Sequence, residues 1–204
     1  MEKTSDKYQL FWDWFDKFEE YIFLNLETKT DEIAEMITEN LKLVHQDLAF
    51  EISFEMVEDK RNFVISADGI YALFPTVIKL ANSSKEYERW NIIPFRPRLH
   101  QENQVIELNG VSLDYDDIFF RYVEDEKEDI IHIDVFVVGY DGEDNTYIHT
   151  YFILLDSLIG EYDAVTKIGN STMYPFDSEQ DIMLYEFRDL IDIIDNLDRS
   201  KIVN

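Results

Sequence analysis

The chain has 204 residues, with 44 Asp and Glu against 18 Lys and Arg, a formal net charge of −26. A field of that sign repels phosphate backbones and anionic membranes and attracts basic surfaces, so neither nucleic acid nor membrane is expected as a partner. Hydrophobic residues make up 46% and aromatic residues 15%, too many for a disordered polyanion, and the absence of cysteine excludes disulfides, thiolate metal sites and cysteine nucleophiles.

The segment Met1–Lys7 has no apolar run before a small-residue cleavage site, and no later run is long enough for a bilayer. A soluble bacterial protein of the cytoplasm is the expectation. The length, with only 6 Gly and 4 Pro, predicts a single domain over residues 1–204. Residues 6–25 read as a helix with Phe11, Trp14, Phe15, Phe18, Tyr21 and Ile22 on one face. Tyr8, Trp12 and Phe23 lie off that face, and Thr4 or Ser5 can cap its start. Residues 30–46 give a second helix striped by Ile33, Met36, Ile37, Leu41 and Val44, with Asp31, Glu32 and Glu35 early, where the helix dipole favours acids. Together they predict a helical hairpin over residues 6–46.

An α+β core is predicted over residues 48–176. Residues 48–57 alternate, sending Leu48, Phe50, Ile52, Phe54 and Met56 to a core and Ala49, Glu51, Ser53, Glu55 and Val57 to water. A turn at Glu58-Asp59-Lys60 leads to a hairpin partner at Phe63–Ile65, then Ser66-Ala67-Asp68-Gly69 opens a helical segment over 70–82. Pro75 either kinks that segment or sits in the first turn of a helix starting near Phe74. Trp90–Phe95 reads as a strand. Asn109-Gly110, between Val105–Leu108 and Val111–Leu113, is a strong hairpin signal, because both turn residues must take positive φ. Strands follow at 118–123 and 130–138, a helix at 147–159 with Gly160 at C′, and a strand at 162–168 continuing toward Tyr174. An acidic helix over 178–197 aligns Met183, Phe187, Leu190, Ile194 and Leu197. The order, approximately ααββαββββαβα, has strands mostly following strands, so an α+β fold is predicted, with a mainly antiparallel sheet covered by helices. No repeat is evident in the sequence.

Four constellations could hold chemistry. Arg89, Arg96, Arg98 and His100 concentrate positive charge, and Arg96 and Arg98 bracket Pro97 in what should be extended backbone, so two guanidiniums could fork onto a phosphate or carboxylate. The competing expectation, that they pair with the chain's own 44 acids, is the better supported. Asp68 follows a strand and opens a helical segment, a place for backbone N–H groups to meet an anion, although a helix cap is its commoner role. Glu161 and Asp163 form a carboxylate pair after Gly160. No metal is expected: His45, His100, His132 and His149 lack ligand spacing, His132 and Asp134 share one strand face but make only two ligands, and the acid clusters Asp114–Asp117 and Asp141–Asp144 lack the calcium-loop pattern. No cofactor is expected either.

The runs Arg61–Gly69, Trp90–Arg98 and Leu155–Tyr162, with Gly160-Glu161-Tyr162-Asp163, are similar to segments in a group of uncharacterised bacterial proteins. The resemblance covers roughly residues 48–176, a domain-sized stretch, and implies no activity. The leading functional expectation is non-catalytic: an acidic protein that binds a basic protein partner, as bacterial immunity proteins and antitoxins do. The alternative is a domain or enzyme for a small anionic ligand, with Arg89, Arg96, Arg98, Asp68 and Glu161 near its site.

Overall fold

The computed structural model describes residues 6–99, 101–177 and 183–199. Where the sequence reads as one domain, the chain divides into two units, Met1–Arg96 and Pro97–Asn204. The fold is α+β. No helix among the described residues is long and apolar enough to cross a membrane.

The first unit begins with the predicted helical hairpin, α1 (Lys7–Asn25) and α2 (Thr30–Val44). Thr4 and Ser5 lie outside the described residues, and Asp6 is the cap, accepting from the Tyr8 N–H. The buried face of α1 is Tyr8, Phe11, Trp12, Phe15 and Ile22, rotated from the predicted stripe, so Phe18 is exposed. The Trp12 indole turns inward because its N–H finds the Leu80 carbonyl at 2.8 Å, which removes the cost of burying a lone donor. Phe15 packs on Phe63, Tyr87 and Trp90 at 5.4–5.6 Å between ring centres.

Strands β1 (Ala49–Val57) and β2 (Lys60–Ser66) form the predicted hairpin. A 3-10 turn at Tyr71–Leu73 and helix α3 (Phe74–Asn82), with Pro75 in its first turn, then lead to β3 (Trp90–Pro94), which runs parallel to β2. The alternation of β1 fails past Ile52. Residues 53, 54 and 55 bulge opposite the single Asn62, and Phe54 and Met56 are exposed rather than buried. Arg61, opposite Met56, occupies the buried side at that level.

In the second unit, Asn109 and Gly110 turn between β4 (Ile106–Leu108) and β5 (Val111–Leu113) with φ of 47° and 88°, as predicted. A four-stranded sheet runs β8 (Ile168–Pro175), β7 (Ile130–Val137), β6 (Ile118–Asp125), β9 (Tyr185–Glu186). It is antiparallel except where β8 lies beside β7. Helix α4 (Asn145–Ile159) and residues Leu190 and Ile194 of α6 (Leu190–Arg199) bury one face of this sheet, against Ile118, Phe120, Ile131, Ile133, Val135 and Val137.

Two predicted elements are corrected here. Residues 161–167 form helix α5 (Glu161–Lys167), not a strand, and the strand begins at Ile168. Gly160, at φ 82°, ends α4 and starts α5, and Glu161 and Asp163 occupy a first turn that favours acids. The helix predicted over 178–197 is shorter at its start. Residues 178–182 lie outside the described residues, Tyr185 and Glu186 pair with β6, and Phe187–Asp189 form a 3-10 turn before α6. Glu186 and Asp189 cap that turn reciprocally, which holds the chain out of helix until Phe187 is buried.

Both main sheets follow one path. A hairpin (β1–β2, β6–β7) is followed by a helical crossover to a strand parallel to the hairpin's second strand (β3, β8). Each second strand is followed by Asp-Gly, Asp68-Gly69 in one unit and Asp141-Gly142 in the other.

On β8, a Cβ at Gly169 would stand 2.6 Å from His132 Cε1 and 2.7 Å from Nδ1. Gly169→Ala is expected to cost about 1–3 kcal/mol in urea unfolding. Most of that loss should be recovered in a His132→Ala background, and an undiminished loss there would show that the clash lies elsewhere. Burial, joined for Tyr87 by its bond to Asp16, raises the pKa of Tyr87, Tyr115, Tyr122 and Tyr151 above the ordinary tyrosine value. Because the folded pKa values lie above the unfolded value of about 10, this stabilisation is complete below that pH and is lost as pH rises through the folded values. Urea midpoints at pH about 8 and about 11 should therefore fall, with a shallower fall in Tyr151→Phe.

Candidate functional site

The three described arginines of the cation-rich segment fall in different places. Arg89 precedes β3 and grips Glu19 of α1 through two bonds, Nε to Oε1 at 3.2 Å and Nη2 to Oε2 at 2.7 Å. The same carboxylate accepts from the Trp90 indole at 2.7 Å. Arg96, at the end of the first unit, donates from Nε to Glu51 and from Nη2 to Asp68 at 3.1 Å.

Asp68 is thus an ion-pair partner, not a helix cap. It takes φ 50° in the turn after β2, and the first helical turn beyond it has no side-chain cap. Arg98 belongs to the second unit and spends all three guanidinium nitrogens there, Nε on the Ile159 carbonyl, Nη1 on Asp195 and Nη2 on Asp163, at 2.7–2.8 Å. Burial disfavours its charge, but the two carboxylates outweigh burial and hold its pKa above the ordinary arginine value. Glu161 is fully buried on α5, and its neighbour Asp163 serves Arg98. His100 lies outside the described residues.

The acid clusters act as caps. Asp114 accepts from the Asp116 N–H and Asp117 from the Asp114 N–H, while Asp141 accepts from Glu143 and Asp144 and Asp144 caps α4. Among the described residues no group of three or more His, Asp or Glu could hold a metal ion.

Two hollows remain. One of about 510 Å³ beside β3 is lined by Lys60, Asn82, Lys85, Tyr87 and Trp90. Its cations are engaged, Lys60 with the Tyr87 carbonyl at 2.8 Å and Lys85 with Asp16 at 3.0 Å. The other, about 410 Å³, lies on the second unit's sheet and is lined by Arg121, Val123, His132, Asp134, Asn170 and Thr172. Arg121 closes on Asp134 there at 2.7 Å, and His132 Nδ1 accepts the Asn170 N–H at 2.9 Å.

The feature that sequence reading missed is Arg61, only 6% exposed. Its Nη1 donates to the carbonyls of Ser53 (3.2 Å) and Phe54, its Nη2 to Glu27 at 2.7 Å, and its Cζ lies 5.3 Å from the Phe23 ring centre. The Ser53 hydroxyl accepts the Asn62 N–H and donates to the Glu55 carbonyl. The carbonyls of the bulge are therefore bonded from within, and the apolar side chains of Phe54 and Met56 are presented outward. A signal was available: Arg61, Phe63 and Ile65 share one strand face, so the spacing alone places Arg61 with the core. Compared with family models, curated proteins and solved structures, the chain matches none.

Removing Arg61 strands two part-buried carbonyls and empties a buried side-chain site, whereas Glu27, with 64% of its side chain exposed, is rehydrated on losing its partner. Arg61→Met is expected to cost about 3 kcal/mol in urea unfolding and Glu27→Gln less than about 1 kcal/mol. Equal costs would place the weight on the ion pair instead.

Proposed function

We propose that this chain is a non-catalytic acidic protein that binds a basic protein partner. The observation that supports it most is the state of the three described arginines. Arg89, Arg96 and Arg98 are each closed by the chain's own carboxylates, so a free anion at Arg96 or Arg98 would have to displace two of them. What is left over is mostly acid, although Lys17, Lys42 and Lys127 also have no ion-pair partner among the described residues. Glu55, Glu58 and Asp59 at the β1–β2 hairpin, and Glu124, Glu126 and Glu128 around the β6–β7 turn, have no cationic partner among the described residues. Uncompensated charge of one sign steers an oppositely charged partner and selects against the wrong ones. A cytoplasmic bacterial setting belongs to the same reading, as does a role like that of an immunity protein or antitoxin.

The test is affinity capture from the native host, identification of the captured protein, and reconstitution from purified components. The association rate should fall at least about tenfold as ionic strength rises from about 0.01 to about 1 M, where the Debye length shrinks from about 30 to about 3 Å. A partner that is not basic, or an association rate indifferent to salt, would count against electrostatic recognition.

A further inference from the structure

At the end of the β1–β2 hairpin, exposed apolar side chains alternate along the chain with acids. Phe54 and Met56, which the strand pattern assigns to a core, are 54% and 55% exposed, and the neighbouring Val57 is 54% exposed. Loose packing is not the cause. The bulge from Ser53 to Glu55 is bonded at each carbonyl, by Arg61 and the Ser53 hydroxyl, so the backbone that carries Phe54 is fixed. Glu55, Glu58 and Asp59, neighbours of Phe54 and Met56 along the chain, have no cationic partner among the described residues, while Glu51 is held by Arg96. Exposed apolar side chains next to uncompensated charge have the composition of a recognition surface.

The geometry points to this hairpin end as the surface on which a basic protein docks, with an apolar side chain of the partner on Phe54 and Met56 and flanking Lys or Arg on Glu55, Glu58 and Asp59. The inference rests on the reading of the chain as a binder of basic partners and gives it a location. Charge complementarity selects the occupant: a second copy of the chain would bring acid against acid, and an anionic lipid surface would be repelled. The apolar side chains supply the contact that holds, the acids supply steering, and the pre-bonded bulge leaves little backbone to order on binding.

The test is amide chemical-shift mapping at low salt with two short synthetic peptides of equal length and charge, one alternating Leu and Lys, the other Ser and Lys. The Leu–Lys peptide should move the amides of residues 51–60 and bind about tenfold more tightly than the Ser–Lys peptide. The double variant Phe54→Ser, Met56→Ser should lose that tenfold preference and keep its melting temperature, since both side chains are already exposed. Shifts centred elsewhere, or an undiminished preference in the double variant, would overturn the hairpin site and leave the acidic-binding reading standing. Failure of both peptides to bind would overturn that reading itself.

Discussion

The buried guanidinium of Arg61 is the interaction on which the first unit's hairpin depends. One side chain holds two carbonyls of the β1 bulge, reaches Glu27 after α1, and lies against Phe23 on α1, while its own N–H joins the Arg89 carbonyl at 2.9 Å. A hydrocarbon in its place would fill the space but could not satisfy the bulge. Its Nε remains buried without a partner, the expected residue of an arrangement in which the geometry of Nη1 and Nη2 takes priority. The guanidinium exchanges ideal packing for a defined backbone path, and that path decides which way Phe54 and Met56 face.

Helices and turns were legible where apolar residues alone mark the buried side. Ile33, Ile37, Leu41 and Val44 define α2 without help, and Asn109-Gly110 specifies a turn that few other pairs could make. The pattern became unreadable where charged residues do the work of apolar ones. In α5 the buried positions are Glu161, Ala164 and Lys167, a helical spacing written largely in charges, so the segment passed for a strand. The β1 alternation misled for the same reason, because a buried arginine takes the place the pattern gave to Met56. The candidate site was legible as composition and not as geometry: the excess of acid was plain, but Arg96 and Arg98 could not be assigned to Glu51, Asp68, Asp163 and Asp195 without knowing which carboxylates folding brings near.

The shared path of the two sheets was also hidden. A hairpin, a crossover and a parallel third strand recur, yet one crossover is the nine-residue α3 after a short turn and the other the fifteen-residue α4 with α5. The helices that cover each sheet differ, so the side chains facing them differ, and a comparison of letters finds no period. Twist and handedness impose the path on any hairpin that must return a parallel strand to its own sheet, so recurrence of path needs no recurrence of sequence.

The seat of His132 on Gly169 has a consequence for how sequences of this kind can drift. Two atoms of the imidazole occupy the volume a side chain at 169 would need, and the Asn170 N–H fixes the ring in that place. The two positions are therefore tied: histidine at 132 favours glycine at 169, and loss of the ring leaves only the flexible tip of Ile130, 2.9 Å from the same point, to give way. Divergence at this corner of the sheet should proceed in pairs, with the ring lost before the glycine.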